Sequence, residues 1–449
     1  MKILFSLVAC SLLILDSAVF GQRGWTLDDC INYAVENNLQ IKRQGLRTES
    51  RRVDLEKSKF DLLPGIGFES EGNMGFGRSI DPVTNLITFE KNMSNSYSLT
   101  TSLTLFSGFS AINTMEANRY MLKAGIEEEK TAVNALVIDI MTAYYQVLYT
   151  NGMMNSALLQ LEQSEKQLFR IAKNVDAGRE AVSTRYQMES KTSEDRLSYT
   201  ISRNDYNQAV TSLKQILQLT PATGFILEIP DQVNTLNVKE NFRADSIFTI
   251  ASGVLPRLKA IEYELLASRK QVSIARGGFS PKISIGAGVF TGYYETIGTG
   301  VVGQKSFKEQ IKDNNSQAIY ARLQIPIFNN FYNARNIKLA KIRKADNEYR
   351  LEIEKNSLFT DVDNACMSYN RSCDEYVAAL DNLGFNKKSF EVIRMKFEAG
   401  LVDITDYSSA SVNLAKAEAE VIRTRLQLLI RRMIIKLYTT GDYKSLINS

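Results

Sequence analysis

The chain has 449 residues, with 54 Lys and Arg against 50 Asp and Glu; the net charge of +4 is spread without a basic block, so nucleic acid is not an expected partner. It contains no histidine, which excludes Ser-His-Asp and Cys-His arrangements, histidine-ligated zinc and a histidine acid/base. Seven prolines leave room for long helices, and after residue 21 no apolar run approaches the roughly 20 residues of a membrane-spanning helix.

Met1 and Lys2 precede an apolar stretch from Ile3 to Leu15, and small residues from Ser17 to Gly21 come before Gln22. This reads as a secretory signal peptide over 1–21. A second reading exists: Leu7 to Cys10 matches the bacterial lipoprotein box, which would make Cys10 a lipidation site, although Cys10 comes early with apolar residues after it. The mature chain then keeps Cys30, Cys366 and Cys373. Cys366 and Cys373 stand seven apart in a helical stretch, about 10.5 Å along the axis, too far to bond without unwinding it. Buried small side chains are the expectation, with no metal site and no cofactor.

From Thr26 to Leu63 the sequence reads as a short helix. Period two follows: Ile66, Phe68 and Met74 alternate with Gly67, Glu69, Glu71 and Asn73, and after a polar loop at 78–92 Tyr97, Leu99, Thr101, Leu103 and Leu105 alternate with Ser and Thr. These are two strands, each apolar on one face. The period then becomes seven, with Ile126, Val133, Ile140, Val147, Met154, Leu161, Leu168 and Val175 marking a coiled-coil seam. The long helix spans Phe109 to Ala177, roughly 100 Å at 1.5 Å per residue. Gly178 stands where a left-handed residue ends a helix, and a short helix follows from Ala181 to Leu219.

The chain then repeats itself. Phe106 to Phe109 aligns with Phe328 to Phe331, and Ala177-Gly178 aligns with Ala399-Gly400 at the same offset; upstream, Pro64 aligns with Pro281 at a slightly shorter one. The first repeat occupies 22–220, a connection 221–241, and the second repeat 242–449. In the second repeat Ile283 to Val289 and Ile319 to Ile327 are the strands, the polar loop is 296–315, and Val362, Tyr369, Tyr376, Leu383, Phe390 and Phe397 keep the heptad phase up to Gly400.

Two readings compete for the four strands. A soluble sandwich turns the apolar face inward; a membrane barrel turns it to lipid and leaves the polar face on water. Export of the chain favours the barrel. Four strands cannot close one, and open edges in lipid leave backbone groups unpaired, so copies must share it, three copies giving twelve strands. On the polar face Glu69, Glu71 and Arg322 are then lumen candidates, an interstrand Glu-Arg pair being the alternative.

At this point the chain resembles the TolC-like outer membrane efflux proteins. The resemblance rests on the opening helix WTLDDCINYAVENN from Trp25 to Asn38, the strand exits Leu105 to Gly108 and Ile325 to Phe328, and the hairpin Phe397 to Asp406, in that order and duplicated. It implies a mainly α fold with a small β part: duplicated coiled-coil helices forming a periplasmic α-barrel, plus four strands per chain contributing to a trimeric twelve-stranded outer membrane β-barrel. It further implies a passive export channel in the outer membrane of a Gram-negative-type bacterium, of a tripartite efflux or type I secretion system carrying small toxic compounds. The partners implied are two further copies, outer membrane lipid, a periplasmic adaptor and an inner membrane pump. In such proteins the helical tip opens and closes, with acids lining its constriction; Asp406 matches one by position, Ser409 stands near where the next is expected, and Asp403 is a nearby substitute. Asp406 is either a charge ring around the axis or a solvated acid in a first helical turn. Arg179, Arg185 and Tyr186, near the first hairpin, are candidates for bonds across a closed tip.

Two other classes fit less of the chain. An enzyme lacks histidine, catalytic carboxylate spacing and a Gly-rich phosphate loop. A secreted structural coiled coil, its strands an assembly platform without pore activity, is the alternative function and would dissolve without detergent.

Overall fold

A computed structural model describes residues 24–80, 85, 87–219, 225–228, 242–298 and 305–447. The expected signal peptide with Cys10 and most of the expected 221–241 connection lie outside the described residues, as do parts of both polar loops.

The elements run in the order α1 (Leu27–Asn37), α2 (Leu39–Phe60), β1 (Gly65–Gly75), β2 (Ser79–Ile80), β3 (Ile87–Thr88), β4 (Lys91–Ser107), α3 (Ser110–Asp176), α4 (Val182–Leu217), α5 (Ala244–Val254), α6 (Pro256–Gly277), β5 (Lys282–Ile297), α7 (Phe307–Asp313), β6 (Ser316–Gln324), α8 (Tyr332–Glu398), α9 (Ile404–Thr440) and α10 (Lys444–Ile447). The two long helices, α3 and α8, have 67 residues each. Both begin after a pair of residues with positive φ, Gly108 and Phe109 in one case, Asn330 and Phe331 in the other, at the offset that aligns Phe106 with Phe328.

The first short helix is broken, a correction to the single helix expected from Thr26 to Leu63. Thr26 caps α1 in a reciprocal box with Asp29, and Asn38 then turns extended (φ −62, ψ 125). The Asn38 Oδ1 accepts from the Gln40 and Ile41 N–H groups at 2.8 and 3.3 Å, which caps α2. Its counterpart, by the alignment of Pro64 with Pro281, is Leu255, also extended, and here the cause is Pro256, whose ring disfavours a helical residue before it.

One compact unit contains the chain up to Leu46, Glu127–Lys259 and Ile353 onward. Its main core joins Cys30, Ile31 and Ala34 of α1, Val137, Ile140, Tyr144 and Val147 of α3, Leu213 and Leu217 of α4, and Leu426 and Leu437 of α9. The heptad seam explains the α3 part of this core, to which Val133, Ile140 and Val147 belong, and the α8 seam is buried as well, at Val362, Tyr369, Phe390 and Phe397. One window of α3 is long and apolar enough to cross a membrane by length and composition, and 44% of it is buried inside the chain. The sequence showed no continuous apolar run there because the apolar side chains are spread along the helix and fill the core. Cys30, Cys366 and Cys373 are buried, as expected, and none is in a disulfide among the described residues.

The second unit contains Arg47–Ile126 and Ala260–Glu352. Its antiparallel sheet has the order β1-β4-β5-β6, with β1 and β6 at the edges. Leading into and out of this sheet, α2 bonds to α3 (Thr48 Oγ1 to Gly125 O, 3.2 Å; Arg51 Nη1 to Met121 O, 3.2 Å). Tyr120 of α3 stacks on Tyr263 of α6, and Glu264 of α6 pairs with Arg350 of α8 at 2.8 Å. Sequence patterning did not anticipate the short β2–β3 hairpin or α7. Ser306 and Glu309 cap α7 reciprocally. Its buried Gln310 covers the stretch of β5 that runs past β6, the side-chain amide accepting from Tyr294 N–H at 3.0 Å and donating to Tyr294 O at 2.9 Å. Ile325 and Ile327 fall beyond β6, since Pro326 carries no N–H for a ladder.

Candidate functional site

The sheet sorts its residues as the alternation predicts. Register places Phe68, Leu99 and Val289 across one face, with Ile66, Thr101, Ala287 and Ile319 beside them. That face is open: Ile319 is 90% exposed and Ile66 77%. The other face carries Glu69 opposite Ser98, Glu71 opposite Ser96, and Arg322 opposite Ser284. The three lumen candidates therefore share one face. Within the chain they form no Glu-Arg pair, because Glu69 and Glu71 lie on one edge strand and Arg322 on the other. Arg322 instead places its guanidinium 5.9 Å from the Tyr320 ring. That ring covers Gly286, where a Cβ would collide with it.

In the helical unit, two hairpins pack together. Gly178 and Gly400 have φ of 69° and 73°. Each accompanies the same pair of bonds: Gly178 N–H to Val175 O and Arg179 N–H to Asn174 O, Gly400 N–H to Phe397 O and Leu401 N–H to Lys396 O, at 2.8 to 3.0 Å. These six-residue closures satisfy the last carbonyls of α3 and α8. Ile171 and Met188 from one hairpin join Phe390, Phe397, Ile404 and Tyr407 from the other in a small core, where Phe397 stacks on Tyr407 at 4.8 Å and the Arg170 guanidinium sits 5.7 Å from Phe397.

Charged side chains decorate this core. Asp403 is the N-cap of α9, its Oδ1 accepting from Thr405 and Asp406 N–H at 2.9 and 3.0 Å. Asp406, in the first turn, is exposed. Arg185 donates to Glu189 at 3.0 Å and lies 3.9 Å from Asp176, both in its own hairpin; Arg179 and Tyr186 are exposed. Sequence reading missed a buried pair further along α4, Lys191 Nζ to Asp195 Oδ1 at 2.7 Å, with Gln160 Nε2 also donating to Oδ1 at 3.3 Å. The i,i+4 spacing was the available signal; burial was not visible in it. No group of residues suited to a metal ion occurs among the described residues.

An open apolar sheet face and paired long helices are the features that comparison with known proteins resolves. The family model described as outer membrane efflux protein matches residues 30–218 and 254–439, most of the chain. The chain belongs to the outer membrane efflux protein family. Outer membrane protein TolC of Escherichia coli (strain K12) is 21% identical over 412 residues, covering 89% of this chain and 79% of TolC. The fold matches a crystal structure of CusC with a TM-score of 0.76 at 18% identity, covering 95% of each chain. It also matches the Campylobacter jejuni CmeC outer membrane channel with a TM-score of 0.75 at 16% identity, covering 94% of this chain and 88% of that one. This efflux protein is thus a TolC-like export channel, located in the outer membrane and extending into the periplasm, and not an enzyme. An exposed apolar sheet face is what a membrane-facing surface at such a location requires.

Proposed function

We propose that three copies close a twelve-stranded barrel and form the passive outer duct of a tripartite efflux or type I secretion system, working with a periplasmic adaptor and an inner membrane pump that supplies the energy. The observation that carries this is the sheet: four strands, one face apolar and exposed, and both outer edges, β1 and β6, open. Edges of that kind are not stable in lipid, and twelve strands is the smallest shared barrel that leaves a lumen. The cargo we infer is small toxic compounds, and the hairpins at Gly178 and Gly400 form the periplasmic gate, with Asp406 at its constriction and Asp403 and Arg185 bracing the hairpins. Glu69, Glu71 and Arg322 line the lumen. The two repeats descend from one duplicated unit, supported by the matching turn geometries at equivalent positions of the two halves.

A deletion strain tests the cargo. Cells without this chain should become sensitive to several chemically unrelated toxic compounds and recover with the chain supplied in trans. Unchanged sensitivity together with loss of a secreted protein would transfer the channel to protein secretion.

A further inference from the structure

The edges of the sheet carry a specific instruction for their partner. β1 pairs β4 with Gly65 opposite Ser102, and β5 pairs β6 with Lys282 opposite Gln324. These are one pairing used twice, because Gly65 and Lys282 follow the aligned Pro64 and Pro281, while Ser102 and Gln324 correspond by the alignment of Phe106 with Phe328. Between the two hairpins lies a third pairing, β4 with β5, in which Thr100 faces Gly288. By the same two alignments, the equivalent of Thr100 is Arg322 and the equivalent of Gly288 is Glu71.

We propose that β6 of one copy pairs with β1 of the next in the register of β4 with β5, setting Arg322 directly opposite Glu71 of the next copy as an ion pair on the polar face of the barrel. This rests on the reading that copies share one barrel, and adds the register and the residues that fix it.

Three observations support that register. The faces agree: the same shift sets Ile319 against Met74 and Ala321 against Gly72 on the apolar face, and Tyr320 against Asn73 on the polar face; a slip of one residue would place apolar side chains on the water side. The charges are available, since neither Glu71 nor Arg322 takes part in an ion pair among the described residues. The helices that adjoin the edges repeat the argument. Tyr120 of α3 stacks on Tyr263 of α6, ring centroids 6.5 Å apart, and the positions one repeat away are Ile342 on α8 and Leu46 on α2, exposed at 55% and 72%. Leu46 belongs to a stripe of exposed Leu39, Leu46, Val53 and Phe60 at heptad spacing, on the opposite side of α2 from buried Ile41, Thr48 and Leu55. A helix apolar on two sides needs two neighbours, and α3 supplies one.

Cysteine pairing tests this in the full-length chain in membranes. Directly opposed Cα atoms in an antiparallel pair lie about 4.5–5.5 Å apart, inside disulfide range, whereas diagonal positions lie about 7–8 Å apart. Glu71→Cys with Arg322→Cys should oxidise to a covalent ring running at three chain masses on a denaturing gel without reductant; Glu69→Cys with Arg322→Cys should not. The native cysteines of the described chain are buried. Glu71→Arg and Arg322→Glu should each lower the temperature at which the assembly dissociates on gels, and the double exchange should restore it. Linking by the 69–322 pair alone, or by neither pair in a wild-type protein that sizes as three copies, overturns the register and leaves the shared barrel standing. A wild-type protein that sizes as one copy overturns the shared barrel itself.

Discussion

Asp403 and Asp406 stand three residues apart at the start of α9 and differ in what they touch. Asp403 binds two backbone N–H groups of the first turn, so Asp403→Ala should cost about 1 kcal/mol, seen as faster hydrogen exchange in that turn. Asp406 is exposed. If it lines the gate, Asp406→Ala should raise the resting conductance of channels in planar bilayers and weaken block by divalent cations; unchanged conductance and unchanged block would remove it from the gate. Cys30 gives a prediction of the opposite kind. Burial, helped by the neighbouring Asp29 charge, pushes its thiol up from 9.0 to about 12. The folded state holds this proton more tightly than the unfolded chain, so the contribution is complete below pH 9 and declines as pH rises toward 12. The stability difference between wild type and Cys30→Ala, read from urea midpoints, should shrink over that range; a constant difference would contradict the assignment.

At the scale of elements, the glycines that end α3 and α8 lie in conformations that L side chains rarely adopt, with no side chain within 4 Å of a would-be Cβ. Gly178→Ala and Gly400→Ala should therefore each cost about 1 kcal/mol through backbone strain alone, with no steric component; thermal melts of the two variants should match, and a large gap between them would reveal a contact specific to one hairpin. These turns were legible because glycine after a heptad seam has few other uses. So were the long helices and the faces of the four strands, since periods of seven and two were sustained. The break at Asn38 was not, because its cap is a side-chain bond that no proline announces. α7 was hidden inside a polar loop, being seven residues whose packing depends on a free stretch of β5. The Lys191–Asp195 pair shows nothing in the sequence but i,i+4 spacing, and its burial comes from packing between helices. Asp406 was reached by resemblance, and no residue pattern near it separates a gate acid from a helix-start acid.

At the scale of the whole molecule, the features share one cause. A sheet with an apolar exposed face and two open edges is unsuited to water and incomplete in lipid, while the helices at its edges expose apolar stripes that a single copy leaves uncovered. The proposed closure by further copies answers both. The measurement that tests this most directly is size and conductance on one sample: full-length chain extracted from outer membranes in detergent, sized by light scattering and inserted into planar bilayers. The account predicts a particle of three chains, each somewhat under 50.5 kDa once a signal peptide is removed, that conducts ions. A water-soluble monomer or dimer without conductance would mean that the apolar face of the sheet is covered by protein, and the channel would have no wall.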